Sequence, residues 1–166
     1  GVLSAVICIS DPLREEAKDV LSALRGLGVK NAVMLTGDSP RTAAAIAAQL
    51  GVDDFQAGVL PADKADYVAA LRREGHTVLM VGDGINDSPA LSEADAGIAI
   101  SDGAAIAREI ADITIAADSL WELVRLRQLA MALMHRIQNN YRFVIGFNGV
   151  LIGLGVAGIL PPATSA

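Results

Sequence analysis

Two aspartates and an asparagine, Asp83, Asn86 and Asp87, stand within five positions of the stretch VGDGINDSPAL (81–91), at the end of an apolar run. Carboxylates at the end of a buried strand are costly unless a cation or a hydrogen-bond donor meets them. Oxygen ligands of this hard kind suit Mg²⁺. Asp83, directly after the run, is best placed to bind the ion. Asn86 can hydrogen-bond a phosphoryl oxygen, and Asp87 can orient the loop or a metal-bound water. Upstream, MLTGDS closes another apolar run, with Thr36 and the backbone amides at Gly37 and Asp38 able to cradle an oxyanion. Lys64, near the start of a helix, supplies a point charge for a phosphoryl group. Taken singly, TGD also reads as a turn and a cap, Lys64 as a solvated helix residue, and DG and ND as turn chemistry. Taken in order, at successive strand ends, they are the parts of phosphoryl transfer.

The elements that must hold these residues alternate along the chain. Short apolar runs at 2–9, 31–36, 76–82, 96–100 and 112–116 suit parallel strands covered on both faces. Helix-like stretches lie at 13–27, 40–50, 63–74, 88–94 and 103–110. DSPRTAAAIAAQLG offers Ser39 as N-cap, Pro40 at the first helical position and Gly51 just past the end. PADKADYVAALRREG has the same grammar, with Asp63 as the cap and Gly75 as the stop. The alternation predicts an α/β fold with a doubly wound parallel sheet. In such sheets ligands bind at the carboxyl ends of the strands, where TGD and GDGIND fall.

At 166 residues the chain fits one domain, or one domain with an appendage. With 3 Phe, 2 Tyr and 1 Trp, the core must be built from Ala, Val, Ile and Leu. A net charge of -6 argues against nucleic acid as a partner. The one cysteine, Cys8, excludes an internal disulfide and reads as a small core hydrophobe in VLSAVICI. Gly1 in place of Met points to a chain that begins inside a longer protein.

The last third changes character. Residues 119–137 read as a long helix, and 143–160 form an uncharged stretch whose one strongly polar residue is Asn148. Eighteen such residues approach the roughly 20 needed to cross a bilayer. Arg125, Arg127, Arg136 and Arg142 precede the stretch and no charge follows it, which puts its N-terminal end in the cytosol.

DPLR (11–14), MLTGD (34–38), PADK (61–64) and VGDGINDSPAL resemble the second half of the phosphorylation domain of P-type ATPases, a domain of the haloacid dehalogenase-like superfamily. ADAGIAI, IAREIADITI and the following long helix resemble the heavy-metal-transporting subclass. The resemblance implies an ATP-driven pump that passes through an aspartyl-phosphate, with Thr36 and Gly37 on the phosphoryl group, Lys64 neutralising it and Asp83 on Mg²⁺. Asn86 and Asp87 would complete that shell. It implies a partial phosphorylation domain over 1–118, a cytosolic stalk helix over 119–142, one transmembrane helix over 143–160 and a short loop over 161–166. Its partners would be a transition-metal cation, the lipid bilayer and the remaining domains of the pump, with residues 1–142 cytosolic in a multi-pass membrane protein.

The Asp-Lys-Thr-Gly-Thr motif that carries the family's phosphorylated aspartate is not in this sequence, so the chain alone is expected to be inactive, with most of the ATP site outside it. Copper pumps of the family carry a Tyr-Asn pair in the corresponding membrane helix; here the pair is Phe147-Asn148. Asn148 reads either as a ligand of the transported ion or as a helix contact. His76 and His135 read as a surface and a stalk residue. A soluble phosphatase of the same superfamily would need a nucleophilic aspartate, and Asp11 lacks a second aspartate two positions on. A non-catalytic remnant of a pump is the other alternative.

Overall fold

The segment 40–50 shows how local signals set the fold. Ser39 accepts the Thr42 N–H, Pro40 opens the helix, and Gly51 closes it at φ 70°, a left-handed turn that glycine adopts without a Cβ penalty. This helix is α2, Pro40–Leu50. A computed structural model of the chain describes residues 13–83, 86–100, 109–115 and 119–158. The expected strand at 2–9, Cys8, Asp11, most of the helix at 103–110 and the loop at 161–166 lie outside the described residues.

The chain divides into two compact units, residues 1–124 and 125–166. In the first, helices and strands alternate as expected: α1 (Ala17–Gly26), β1 (Val33–Leu35), α2, β2 (Asp54–Gln56), α3 (Pro61–Arg73), β3 (Leu79–Gly82), α4 (Ser88–Glu93), β4 (Ala96–Ile100) and β5 (Ile113–Ile115). Every strand pair is parallel. The strands form two groups, β1–β2 and β3–β4–β5. Among the described residues, β1 pairs with β2 alone and β3 with β4 alone, so each keeps one edge without a strand partner. The core is aliphatic, with Val20, Ala43, Val68, Leu91, Ile98 and Ala99 all buried.

Two local expectations need correction. Asp63 does not cap α3. The helix begins at Pro61, and Asp63 sits one turn in, where its carboxylate reaches back to the Leu60 N–H at 3.0 Å. Proline fixes the helical φ at 61, three residues earlier than a cap at Asp63 would. The strand β2 was not expected, because Asp54-Phe55-Gln56 carries a single apolar residue.

The amino-terminal ends of the strands share a repeated device. Asp53, just before β2, accepts the Ala32 N–H at 2.7 Å and the Arg25 guanidinium at 2.8 Å. Arg25, in the last turn of α1, also donates to the Gly51 carbonyl that ends α2. Asp95, just before β4, accepts the Val78 N–H at 2.8 Å and the Arg72 guanidinium at 3.1 Å. Arg72, in the last turn of α3, also donates to the Glu93 carbonyl that ends α4. Asp112, before β5, takes the Gly97 N–H at 2.8 Å in the same way. Each aspartate satisfies a strand-end donor that has no ladder partner.

Among the described residues, the second unit is the continuation of a helix that begins in the first. α5, Trp121–Val156, runs for 36 residues. Within the first unit, its opening donors are met by Glu16, which accepts the Leu120 N–H at 2.6 Å and the Ser119 hydroxyl at 3.0 Å. From Arg125 onward apolar side chains are exposed, among them Phe143 and Ile152. Among the described residues, no helix is long and apolar enough to cross a membrane. α5 continues without interruption through 138–142, where Asn139, Asn140 and Arg142 are tolerated inside a helix. The span expected over 143–160 runs past Gly158, beyond the described residues.

Asp53 and Asp95 are both held below the ordinary carboxylate range. The Ala32 N–H is the largest cause for Asp53, with Arg25 adding to it; the Val78 N–H is the largest for Asp95, again with the arginine adding. A carboxyl with a depressed folded pKa contributes fully above its unfolded value of about 3.9, and that contribution is lost as the pH falls through the folded value. Stability is therefore expected to fall below about pH 4. Equilibrium unfolding followed by circular dichroism should show a flatter acid limb in the double variant Asp53→Asn, Asp95→Asn.

Candidate functional site

The two groups of candidate residues both follow strands. Thr36, Gly37 and Asp38 come directly after β1, and Asp83, Asn86 and Asp87 directly after β3. Lys64 lies in the first turn of α3. The structure brings these residues together as three pairs.

Lys64 and Asp87 form the tightest pair. The ammonium nitrogen lies 2.6 Å from Asp87 Oδ1, and the two side chains are only 14% and 13% exposed. A charge-assisted hydrogen bond so largely withdrawn from water is well above the strength of a surface ion pair. It is held from both sides: Lys64 by α3, and Asp87 by its place at the start of α4, where its carbonyl accepts the Leu91 N–H.

Asp83 and Asn86 form the second pair. The Asn86 backbone N–H donates to Asp83 Oδ1 at 3.1 Å and its side-chain amide to Oδ2 at 3.3 Å. Both side chains face solvent. The turn Asp-x-x-Asn is thereby closed on its own carboxylate.

Thr36 and Asp38 form the third. The Thr36 hydroxyl donates to Asp38 Oδ2 at 2.8 Å, and the Asp38 N–H donates to Thr36 Oγ1 at 3.1 Å. The loop is fixed to the segment after β2, since Gly58 donates to the Asp38 carbonyl and Val59 to the Thr36 carbonyl. Asn148 belongs to the second unit, on α5, and is exposed.

One residue of the site escaped the reading of the sequence. A Cβ added to Gly82 would lie 2.4 Å from Asp87 Oδ2 and 2.6 Å from Asp87 Cβ. The carboxylate that holds Lys64 therefore fits only because β3 ends in glycine. A glycine closing an apolar strand, as in VGDG, is the signal that would have found it, since it marks a close approach. Gly37 differs: a Cβ there would meet nothing closer than the Val59 carbonyl, at 3.7 Å. Its missing side chain is not required by the chain's own packing.

A family model described as haloacid dehalogenase-like hydrolase matches residues 2–95. The chain is 43% identical over 167 aligned residues to the manganese-exporting P-type ATPase of Mycobacterium leprae, covering 100% of this chain and 23% of that protein. The zinc-exporting P-type ATPase of Mycobacterium marinum gives the same identity, 43%, and the same coverage. Among solved structures, a zinc-transporting PIB-type ATPase in the E2.Pi state superposes with a TM-score of 0.82 at 42% identity, over 90% of this chain and 24% of that one. The chain thus spans under a quarter of the length of these relatives.

Gly82→Ala should drive the Asp87 carboxylate off Lys64 and cost about 1–3 kcal/mol. Gly37→Ala should stay within about 0.5 kcal/mol of the parent. Denaturant unfolding of the two variants side by side checks the contrast, and equal costs would contradict it.

Proposed function

The chain belongs to the haloacid dehalogenase-like hydrolase family, and on that premise we propose that it supplies the Mg²⁺- and phosphoryl-binding half of the site of an ATP-driven heavy-metal cation pump. The observation that carries the reading is the Lys64–Asp87 pair, an ammonium largely withdrawn from water and held by a carboxylate that follows β3. The identity to manganese- and zinc-exporting ATPases along the whole chain supports the pump class and leaves the metal open.

In this reading Lys64 faces a phosphoryl oxygen with its charge, and Asp87 keeps the ammonium aimed. The Thr36 hydroxyl exchanges its bond to Asp38 for one to the phosphoryl group, and the Gly37 amide donates beside it. Gly37 suits this role because a ligand can approach its bare Cα. Asn86 donates from the opposite loop. The donor set fits Mg²⁺, an ion commonly held by one or two carboxylates together with waters and phosphate oxygens: Asp83 is an exposed carboxylate after β3 and Asp87 a second one four positions on. Asp83 would hold it, with Asp87 alongside. Bound there, the ion would supply positive charge to the transferring group. The phosphorylated aspartate of the pump belongs to a segment outside this sequence, and the edges of β1 and β3 that have no strand partner among the described residues are where such a segment could join the sheet.

The rest of the proposal concerns the tail. Residues 1–118 form the partial phosphorylation domain, 119–142 the cytosolic stalk, 143–160 a membrane span and 161–166 the start of a loop. The support is the ring of exposed apolar side chains around α5 from Phe143 to Val156, with no polar face for water. Four arginines before the span keep its near end in the cytosol. Asn148 then stands at membrane depth, where an amide marks an ion path.

Two measurements test these assignments. In the complete pump, Lys64→Ala and Asp83→Asn should each lower phosphoenzyme formation by about 100-fold or more, whichever metal is offered. Asn148→Ala should instead change which metals stimulate ATP hydrolysis while phosphorylation from inorganic phosphate survives. Normal phosphorylation in Asp83→Asn would remove that residue from the site, and an unchanged metal profile would reduce Asn148 to packing. For the tail, the chain should partition into detergent, and removing everything after Ile137 should abolish that partition. A full chain that stays monodisperse in plain buffer would refute the span.

A further inference from the structure

Along α3 three residues stand four apart: Lys64, Val68 and Arg72. Residues at this spacing share one face of a helix. Each is engaged differently. Lys64 reaches Asp87 at the head of α4. Val68, 1% exposed, is buried in the core. Arg72 reaches the Glu93 carbonyl at the foot of α4 at 2.6 Å, and Asp95 just beyond it. The two helices, which pack against each other, are therefore tied at both ends, and the buried Val68 lies between the ties on α3.

We propose that Arg72, with Asp95, is a positioning residue for Lys64. Apolar packing at Val68 resists separation of the helices but is non-directional and serves as a fulcrum. Four residues of helix span about 6 Å, so a tilt of about 10° about Val68 would carry Lys64 about 1 Å sideways, across α4. One ångström is enough to lose a charge-assisted hydrogen bond of ideal length. The head of α3 has no other charged tether to α4 among its hydrogen bonds at Leu60 and Lys64. The fork of Arg72 opposes the tilt from the far end. Its guanidinium reaches a carbonyl, Glu93 Oε1 at 3.4 Å and the Asp95 carboxylate, an arrangement that needs several donors in fixed directions.

The fold contains its own control. Arg25 and Asp53 make a like device between α1 and α2, with a helix-end carbonyl and an aspartate as acceptors and similar exposure, but without a counterpart of Glu93 Oε1. Those helices do not carry Lys64. A merely stabilising role predicts equal consequences for the two devices; a positioning role predicts different ones.

The inference concerns the lysine that the proposed function sets on the phosphoryl group, but its readout needs no turnover. The chain has three lysines, Lys18, Lys30 and Lys64, and the first two are exposed. Selective ¹³C/¹⁵N labelling of lysine in the full chain, in detergent, therefore gives three side-chain signals. The paired Lys64 signal should stand apart from the other two and vanish into their range in Lys64-directed control Asp87→Asn. Arg72→Ala should move it most of the way to that range, and the milder Asp95→Asn should move it in the same direction. Arg25→Ala should leave it in place. All variants are compared where circular dichroism shows them folded, and Asp95→Asn, which keeps an acceptor for the Val78 N–H, covers the case in which Arg72→Ala does not fold. A Lys64 signal unmoved in Asp95→Asn, or moved equally by Arg25→Ala, overturns the proposal. Failure of phosphoryl binding with the lysine response intact would count against the function instead.

Discussion

Lysine ammonium and aspartate carboxylate are expensive to take out of water apart and tolerable to take out together, and Lys64 and Asp87 are both about seven-eighths withdrawn. That constraint reaches well past the pair. It requires α3 and α4 to run side by side, because the two residues open those helices 23 positions apart. It requires β3 to end in a glycine, because a Cβ would occupy the space of the carboxylate. It also fixes which loop faces which helix, since Asp83 and Asn86 lie on the short turn that leads into Asp87. A site that handles anions benefits from such an arrangement: the positive charge is already desolvated and aimed before any ligand arrives.

Much of this was legible in the sequence because the signals are local. Ser39, Pro40 and Gly51 bracket α2 at its observed ends, and AGIAI gives β4 residue for residue. The loops after β1 and β3 stand out by chemistry, since small polar residues there follow apolar runs directly. What the sequence hid is non-local or steric. The Arg25–Asp53 and Arg72–Asp95 contacts join residues 28 and 23 positions apart, and nothing in either neighbourhood distinguishes those arginines from solvated ones. Gly82 read only as the last residue of the apolar run 76–82, and it is a packing requirement. The start of α3 went astray because Asp63 and Pro61 are both start signals, and the backbone constraint of proline prevailed.

α5 shows a different limit. The polar residues at 138–142 read as a boundary between two kinds of helix, whereas backbone hydrogen bonding continues through them. Composition changes along a helix more readily than its geometry does. A change of environment can be written in side chains on a backbone that registers no break.

The repeated aspartates before β2, β4 and β5 have an evolutionary consequence. They lie at the amino-terminal ends of the strands, and the candidate site residues after β1 and β3 lie at the other end. Mutational drift in the loops after β1 and β3 therefore leaves those anchors intact, and a lineage can explore new ligand preferences there without spending the stability margin on which viability depends. Lys64 and its partner Asp87 are the exceptions. Each is largely withdrawn from water against the other, and a change in either leaves the remaining charge unpaired.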